Sequence, residues 1–192
     1  MAQQIQPLLV LVGGAPGAGK STLCRYLAET LALPVLSKDF FKELLADALR
    51  LETREEVQPL GPATYTVLYR VAGHLLRGGV SLVVDCNFHR GVSEEELRPL
   101  VESARAVLIH CEATPSVRTE RMTGRVERGE RHWVHFDREW LAANESGAFP
   151  PDRVIYEPLD LDVPILRVDT TNGYVPDLDA ILEFIRSTTR GE

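Results

Sequence analysis

Little in this 192-residue chain suits a membrane, a disulfide framework or a polyanion. No apolar run approaches the ~18 residues of a bilayer span. The N-terminus has no basic stretch leading into an apolar one, which predicts a protein that is neither exported nor membrane-bound. Cys24, Cys86 and Cys111 lie far apart without ligand-pair spacing. They predict reduced thiols that serve packing in a cytoplasmic protein. His132 and His135 have no cysteine or carboxylate pattern to complete a zinc site, so they read as lid-surface or acceptor-contact residues. Aromatics make up 7% of the chain, and Phe40, Phe41, Trp133, Phe136 and Trp140 show no regular spacing for stacking bases. Positive charge is also short: 21 Lys and Arg face 28 Asp and Glu, for a net charge of −7. That balance disfavours broad nucleic-acid binding unless a local basic cleft offsets it. Repeats and low-complexity segments are absent. Length and composition fit one domain with a full core.

What is present is concentrated near the start. Residues 14–21 read Gly14-Ala15-Pro16-Gly17-Ala18-Gly19-Lys20-Ser21, a complete G-x-x-x-x-G-K-[ST] phosphate loop. It follows the apolar run Leu8–Val12 and opens a helical pattern from Thr22 to Leu31, the context the motif requires. Backbone N–H groups of such a loop wrap a di- or triphosphate, and the positive end of the following helix attracts the anion. Glycine at 14, 17 and 19 lets backbone approach phosphate closely. Lys20 is placed for the β- and γ-phosphates and Ser21 for Mg²⁺. These residues predict a nucleoside-triphosphate site.

Strand-like runs alternate with helical patterns, which favours a parallel sheet covered on both faces. The expected strands are 8–13, 34–37, 80–84, 106–109 and 163–168. The expected helices are 20–32, 40–49, one starting near Pro62, one after Ser93, 114–128, about two turns from Asp137, and 176–187. Residues 52–61 read as loop. Ser93 and Glu96 have capping-box spacing, and Pro99 predicts a late start or a kink in that helix. The architecture expected is an α/β P-loop NTPase sandwich of three layers. It has a five-stranded, mainly parallel sheet and a helical lid at about 118–150, all in a single domain over 1–192.

Other positions carry chemistry. Asp85 ends the third strand, on the ligand side of a parallel sheet, where a Walker-B-type acid holds Mg²⁺. Its alternative is a cap for the next turn. Asn87 stands on the same rim. Asp39 follows the second strand, where it either takes the proton of an acceptor hydroxyl or caps the 40–49 helix. Lys42 lies one turn on. Arg121, Arg125 and Arg128 share one helix face, flanked by Arg118 and Arg131. Such a face can neutralise a transferring phosphoryl group, or form a surface ion-pair ladder with Glu120, Glu127 and Glu130.

In this combination the chain resembles P-loop kinases of the group containing polynucleotide 5′-hydroxyl kinases, zeta-type toxin kinases and chloramphenicol phosphotransferase. The resemblance rests on Gly14 to Thr22, Lys38-Asp39, Asp85-Cys86-Asn87, Arg121-x-x-x-Arg125 and Asp169-Thr170-Thr171. It implies Asp39 as acceptor base, Arg121 and Arg125 as lid residues near ATP, and Thr171 beside the nucleobase. No Asn-Lys-x-Asp guanine motif or His-Arg-Asp loop is present. The expected activity is transfer of the ATP γ-phosphate, with Mg²⁺, to a hydroxyl of a small metabolite or antibiotic. A polynucleotide 5′-hydroxyl kinase and a nucleotide-sensing ATPase switch are the alternatives.

Overall fold

Strand β1 (Leu8–Gly14) is buried at every position. Its alternate side chains serve opposite layers: Leu9 and Leu11 face one core, Val10 and Val12 the other. The computed structural model describes residues 6–145 and 156–188. In it β1 is joined by β2 (Val35–Ser37), β3 (Leu82–Asp85), β4 (Arg105–Glu112) and β5 (Ile165–Asp169). The sheet order is β2-β3-β1-β4-β5, and all four pairings are parallel.

The helices are α1 (Lys20–Leu31), α2 (Lys38–Leu49), α3 (Arg54–Val57), α4 (Leu60–Arg77), α5 (Ser93–Glu102), α6 (Pro115–Glu127), α7 (Asp137–Glu145) and α8 (Leu178–Ser187). Leu23 and Leu27 of α1 pack with Ile181, Leu182 and Ile185 of α8 on the Val10 face. Leu68, Ala72 and Leu76 of α4 join Leu97 and Leu100 of α5 on the Leu9 face. The result is a three-layer α/β/α sandwich. Among the described residues no helix is long and apolar enough to cross a membrane. The three cysteines are free and buried.

A small third core lies beyond the sheet edge. Ala46 of α2, Val57 of α3 and Leu60 of α4 enclose Val134, which is fully buried in the short 3₁₀ turn Trp133–His135. This cluster docks the segment after α6 onto the helices that follow β2.

Local chemistry moves several boundaries. Residues 52–61 hold α3, capped by a reciprocal pair the sequence reading passed over. Thr53 Oγ1 accepts from Glu56 N–H at 3.3 Å, and Glu56 Oε2 accepts from Thr53 N–H at 3.0 Å. The expected Ser93–Glu96 box does not form, because Ser93 is already inside α5 and its Oγ accepts from His89 N–H at 2.9 Å. Helix α5 runs through Pro99. Strand β3 starts at Leu82 because the Val80 N–H closes the end of α4 on Leu75 O at 3.0 Å. Asp137 opens α7 from within its first turn. Of the expected lid, 146–150 lie outside the described residues.

Candidate active site

The phosphate loop bridges the C-terminal end of β1 and the start of α1, where β1 is flanked by β3 and β4. Ligands of open parallel sheets bind at that end, beside the strand from which the connections diverge. The loop glycines are required by packing as much as by phosphate access. Gly14 has φ +128°, and a Cβ there would run into the Cys111 carbonyl of β4. Gly17 has φ +79°, and its Cβ would lie 2.7 Å from the Arg118 carbonyl of α6. The loop is therefore clamped between the sheet and α6.

Behind the loop lies Thr170, buried just past β5. Its Oγ1 donates to Ala18 O at 3.1 Å and accepts from Arg121 Nη1 at 3.0 Å. Arg121 also donates to Thr170 O at 2.5 Å and Gly17 O at 3.3 Å. Sequence reading placed Arg121 in a lid; the structure ties it to the backbone of the loop. Thr170 was missed as a brace. Its only signal was adjacency to Thr171, whose Oγ1 accepts from Thr114 N–H at 3.2 Å and which lines the cavity with Asn172 and Tyr174.

Lys20 is 7% exposed, and its Nζ donates to Ala15 O at 2.8 Å. Burial lowers its pKa, countered chiefly by the nearby Asp85 carboxylate. Asp85, at the tip of β3, is itself buried. That raises its carboxyl above the ordinary value against the pull of Lys20 and a hydrogen bond from the Ser21 hydroxyl. Burial likewise pushes the Cys111 thiol up to about 12, so it is no nucleophile at neutral pH.

Across the cavity stands Asp39, in the first turn of α2, whose N-cap is Ser37. The capping role considered for Asp39 thus belongs to Ser37, whose Oγ lies 3.5 Å from Phe40 N. The Asp39 carboxylate instead faces charges. Arg131 Nη1 donates to Oδ2 at 3.2 Å, Lys38 Nζ lies 3.8 Å from Oδ1, and His135 Nδ1 lies 3.9 Å from Oδ1. Burial alone would raise its pKa, but His135, Arg131 and Lys38 outweigh that and hold it below the ordinary carboxylate value. Asn87 lines the same wall, its carbonyl accepting from Tyr65 OH at 2.9 Å.

The arginine run differs in exposure and partners rather than in placement, since Arg121, Arg125 and Arg128 all border the cavity. Arg125 Nε donates to Arg121 O at 3.3 Å. Arg128 forms the surface ion pair, 59% exposed and bidentate to Glu130 at 2.6 and 3.0 Å. His132 meets Asp47 and His135 meets Glu43, at 3.1 and 2.7 Å, so both histidines pair with α2. Among the described residues no three His, Cys, Asp or Glu side chains cluster to hold a metal. A cation here would need the nucleotide's own oxygens and water beside Ser21 and Asp85, as Mg²⁺ prefers. Their paired hard oxygen donors suit it.

Lys20, Ser21, Asp39, Asp85, Asn87, Arg125, Arg131 and Thr171 line one cavity of about 1570 Å³. A site for one small ligand occupies roughly 300–1,000 Å³, so this space admits two.

The chain belongs to the AAA domain family, whose profile matches residues 9–147. Its fold is that of the kinase-like P-loop NTPases. A candidate kinase from Chloroflexus aurantiacus is 34% identical, with a TM-score of 0.79 over 95% of this chain and 98% of that one. The Mycobacterium tuberculosis APS kinase, solved with AMPPNP and APS, shares the fold at 16% identity and a TM-score of 0.61, over 94% and 98% of the two chains. An uncharacterized protein of Mycobacterium tuberculosis is 31% identical over 126 residues, 61% of this chain. The chain spans about a quarter of the length of the curated relatives it matches, 25% of each.

Proposed function

We propose that this protein transfers the γ-phosphate of ATP to a hydroxyl of a small molecule. The observation that carries the reading is a carboxylate, Asp39, held ionised across a two-ligand cavity from a phosphate loop. Gly14 to Thr22 would hold the triphosphate, with Lys20 turning from Ala15 O to the β- and γ-phosphates. Thr171 would border the base. Ser21 and Asp85 would hold Mg²⁺, which supplies charge neutralisation on the phosphate oxygens when bound. Arg121 would fix the loop, and Arg125 would offset charge on the departing phosphoryl group.

Asp39 would accept the hydroxyl proton as the acceptor oxygen bonds to the γ-phosphorus. The bond from that phosphorus to the bridging oxygen breaks, and its electron pair leaves with ADP. A base with a lowered pKa is a weak proton acceptor. That suits a loose transition state, in which the hydroxyl loses its proton late and needs orientation first. The walls around Asp39 mix Lys38, Lys42 and Arg131 with Asp137, and Glu43 pairs with the lining His135, which favours a compact polar acceptor over a polyanion.

The test incubates enzyme, γ-labelled ATP and Mg²⁺ with a panel of hydroxylated metabolites and antibiotics beside 5′-hydroxyl DNA and RNA. Label is expected on a small molecule. Asp39→Asn should cut transfer roughly 10²–10⁴-fold, the range for a positioned general base, while ATP binding persists. Labelling of oligonucleotide ends alone, or full transfer by the Asn variant, would overturn the reading.

A further inference from the structure

Arg131 and Asp39 are 92 residues apart in sequence, yet the structure pairs them. The arginine is held from behind: its Nε donates to Asp137 Oδ2 at 2.5 Å, and its Nη1 donates to Asp39 Oδ2 at 3.2 Å. Asp137 is 13% exposed, Arg131 21% and Asp39 35%, so the bridge is better shielded from water on its Asp137 side than on its Asp39 side. Charge-assisted bonds on both sides of one planar guanidinium fix its direction as well as its place.

The backbone carrying Arg131 is anchored to α2, the helix that carries Asp39. Val134 is buried against Ala46, its carbonyl accepts from Lys42 Nζ at 2.7 Å, and His135 Nε2 sits 2.7 Å from Glu43 Oε1. Arginine and carboxylate therefore share one frame.

The two oxygens of Asp39 are left unequal. Oδ2 is engaged by Arg131. Among the described residues, Oδ1 has Lys38 at 3.8 Å and His135 at 3.9 Å as its ion-pair neighbours, both beyond hydrogen-bond range. We propose that Arg131 is a positioning residue for the transfer: by engaging Oδ2 it fixes the carboxylate so that Oδ1 receives the acceptor hydroxyl. The inference rests on the reading of Asp39 as the acceptor's base. Asp137 acts one step further back, holding the guanidinium.

The charge consequence follows. Asp39 is faced by Lys38 and Lys42 of its own helix, and by Arg131 and His135 from the docked turn. Lys20 of α1, Asp85 of β3, Arg125 of α6 and Asp137 of α7 complete its surroundings. Removing Arg131 subtracts a cation in direct contact, so the Asp39 carboxyl should titrate at higher pH. The base is active only when ionised, so the acid limb of turnover should move upward with it.

The experiment compares full-length wild type, Arg131→Ala, Arg131→Lys, Asp137→Asn and Asp39→Asn. It measures kcat and KM against pH with MgATP and the best acceptor of the panel above. In parallel, the Asp39 carboxyl carbon is titrated by NMR in ¹³C-aspartate protein, assigned by its absence in Asp39→Asn. Arg131→Ala should lower kcat about 10–100-fold, the size typical of a partner that orients a functional side chain. KM for ATP should stay within about twofold, and acid limb and carbon titration should rise together. Lysine should restore the titration in part but not kcat, lacking the fork that spans both carboxylates. Asp137→Asn should follow Arg131→Ala with a smaller loss. Unchanged or raised kcat in Arg131→Ala overturns the proposal. So does a rise in acceptor KM with kcat and pH profile intact, which would make Arg131 a binding group. Wild-type kcat in Asp39→Asn sinks the underlying reading instead, whatever the NMR titration shows for the pair.

Discussion

The phosphate loop and the 131–137 segment face one another across a single cavity, yet different forces hold them. The loop is eight contiguous residues whose backbone is clamped between β4 and α6 and braced by Thr170. The facing segment is fastened by side chains that reach over 80 residues back to α2, with Val134 buried as an apolar plug and Phe136 packed beside it. Backbone clamping leaves few alternatives, because shifting the loop means moving core strands. Partly exposed ion pairs are worth little singly, roughly 0–1 kcal/mol each. The 131–137 segment should therefore be the softer wall, in keeping with the proposal that an acceptor enters on that side.

The largest expected effect breaks the rigid side. Lys20→Ala removes a point charge from the phosphates, and such terms are worth roughly 3–4 kcal/mol, or about 10²–10³ in turnover. Melting temperature should hardly move. Turnover within a few-fold of wild type would remove the phosphate loop from the chemistry.

Two glycines test whether clamping is the difference between the walls. Gly17 and Gly129 both have positive φ, +79° and +68°. A Cβ at 17 meets the Arg118 carbonyl, whereas at 129 nothing lies within 4 Å. Gly17→Ala should cost about 1–3 kcal/mol in stability and weaken ATP binding at least several-fold. Gly129→Ala should cost about 1 kcal/mol and leave ATP affinity alone. Equal losses, read by thermal melts and nucleotide titration, would show that backbone angle alone matters.

Val134→Ala probes the soft wall. Losing two buried methyl groups costs about 2 kcal/mol, felt first as local undocking. Amide exchange at Phe136, whose N–H bonds Trp133 O at 3.0 Å, should speed up about 30-fold while β1 amides stay protected. Uniform loss of protection would mean that this turn unfolds only with the whole domain. The smallest effect belongs to Arg128→Ala, since that side chain, though it borders the cavity, is 59% exposed and already paired with Glu130. Turnover and ATP affinity should stay within about twofold.

Legibility follows the same divide. The phosphate loop was readable because its chemistry is written in consecutive residues with fixed spacing. Asp85 was readable because a short apolar run ends on it. The arginines at 121, 125 and 128 shared a face on paper, but periodicity could not say which partners each would meet. All three border the cavity, but Arg121 meets Thr170 and Gly17, Arg125 meets the Arg121 carbonyl, and Arg128 meets Glu130. The α3 turn was hidden because Thr53 and Glu56 sit in a stretch too polar and too short to show an apolar stripe.

Sequence by itself determined the alternation of strands and helices, the loop after β1, and the carboxylates at the end of β3 and just after β2. Each of these is a local pattern, and local patterns survive in any frame that keeps the chain order. Tertiary structure alone decided that Asp39, once Ser37 caps α2, faces the cavity, and that Arg131 reaches Asp39 with Asp137 behind it. It also made Thr170 the brace under the loop. Those outcomes depend on which surfaces α2, α6 and the 133–135 turn bury against one another. Burial of that kind is a property of the packed whole, and no spacing along the chain encodes it.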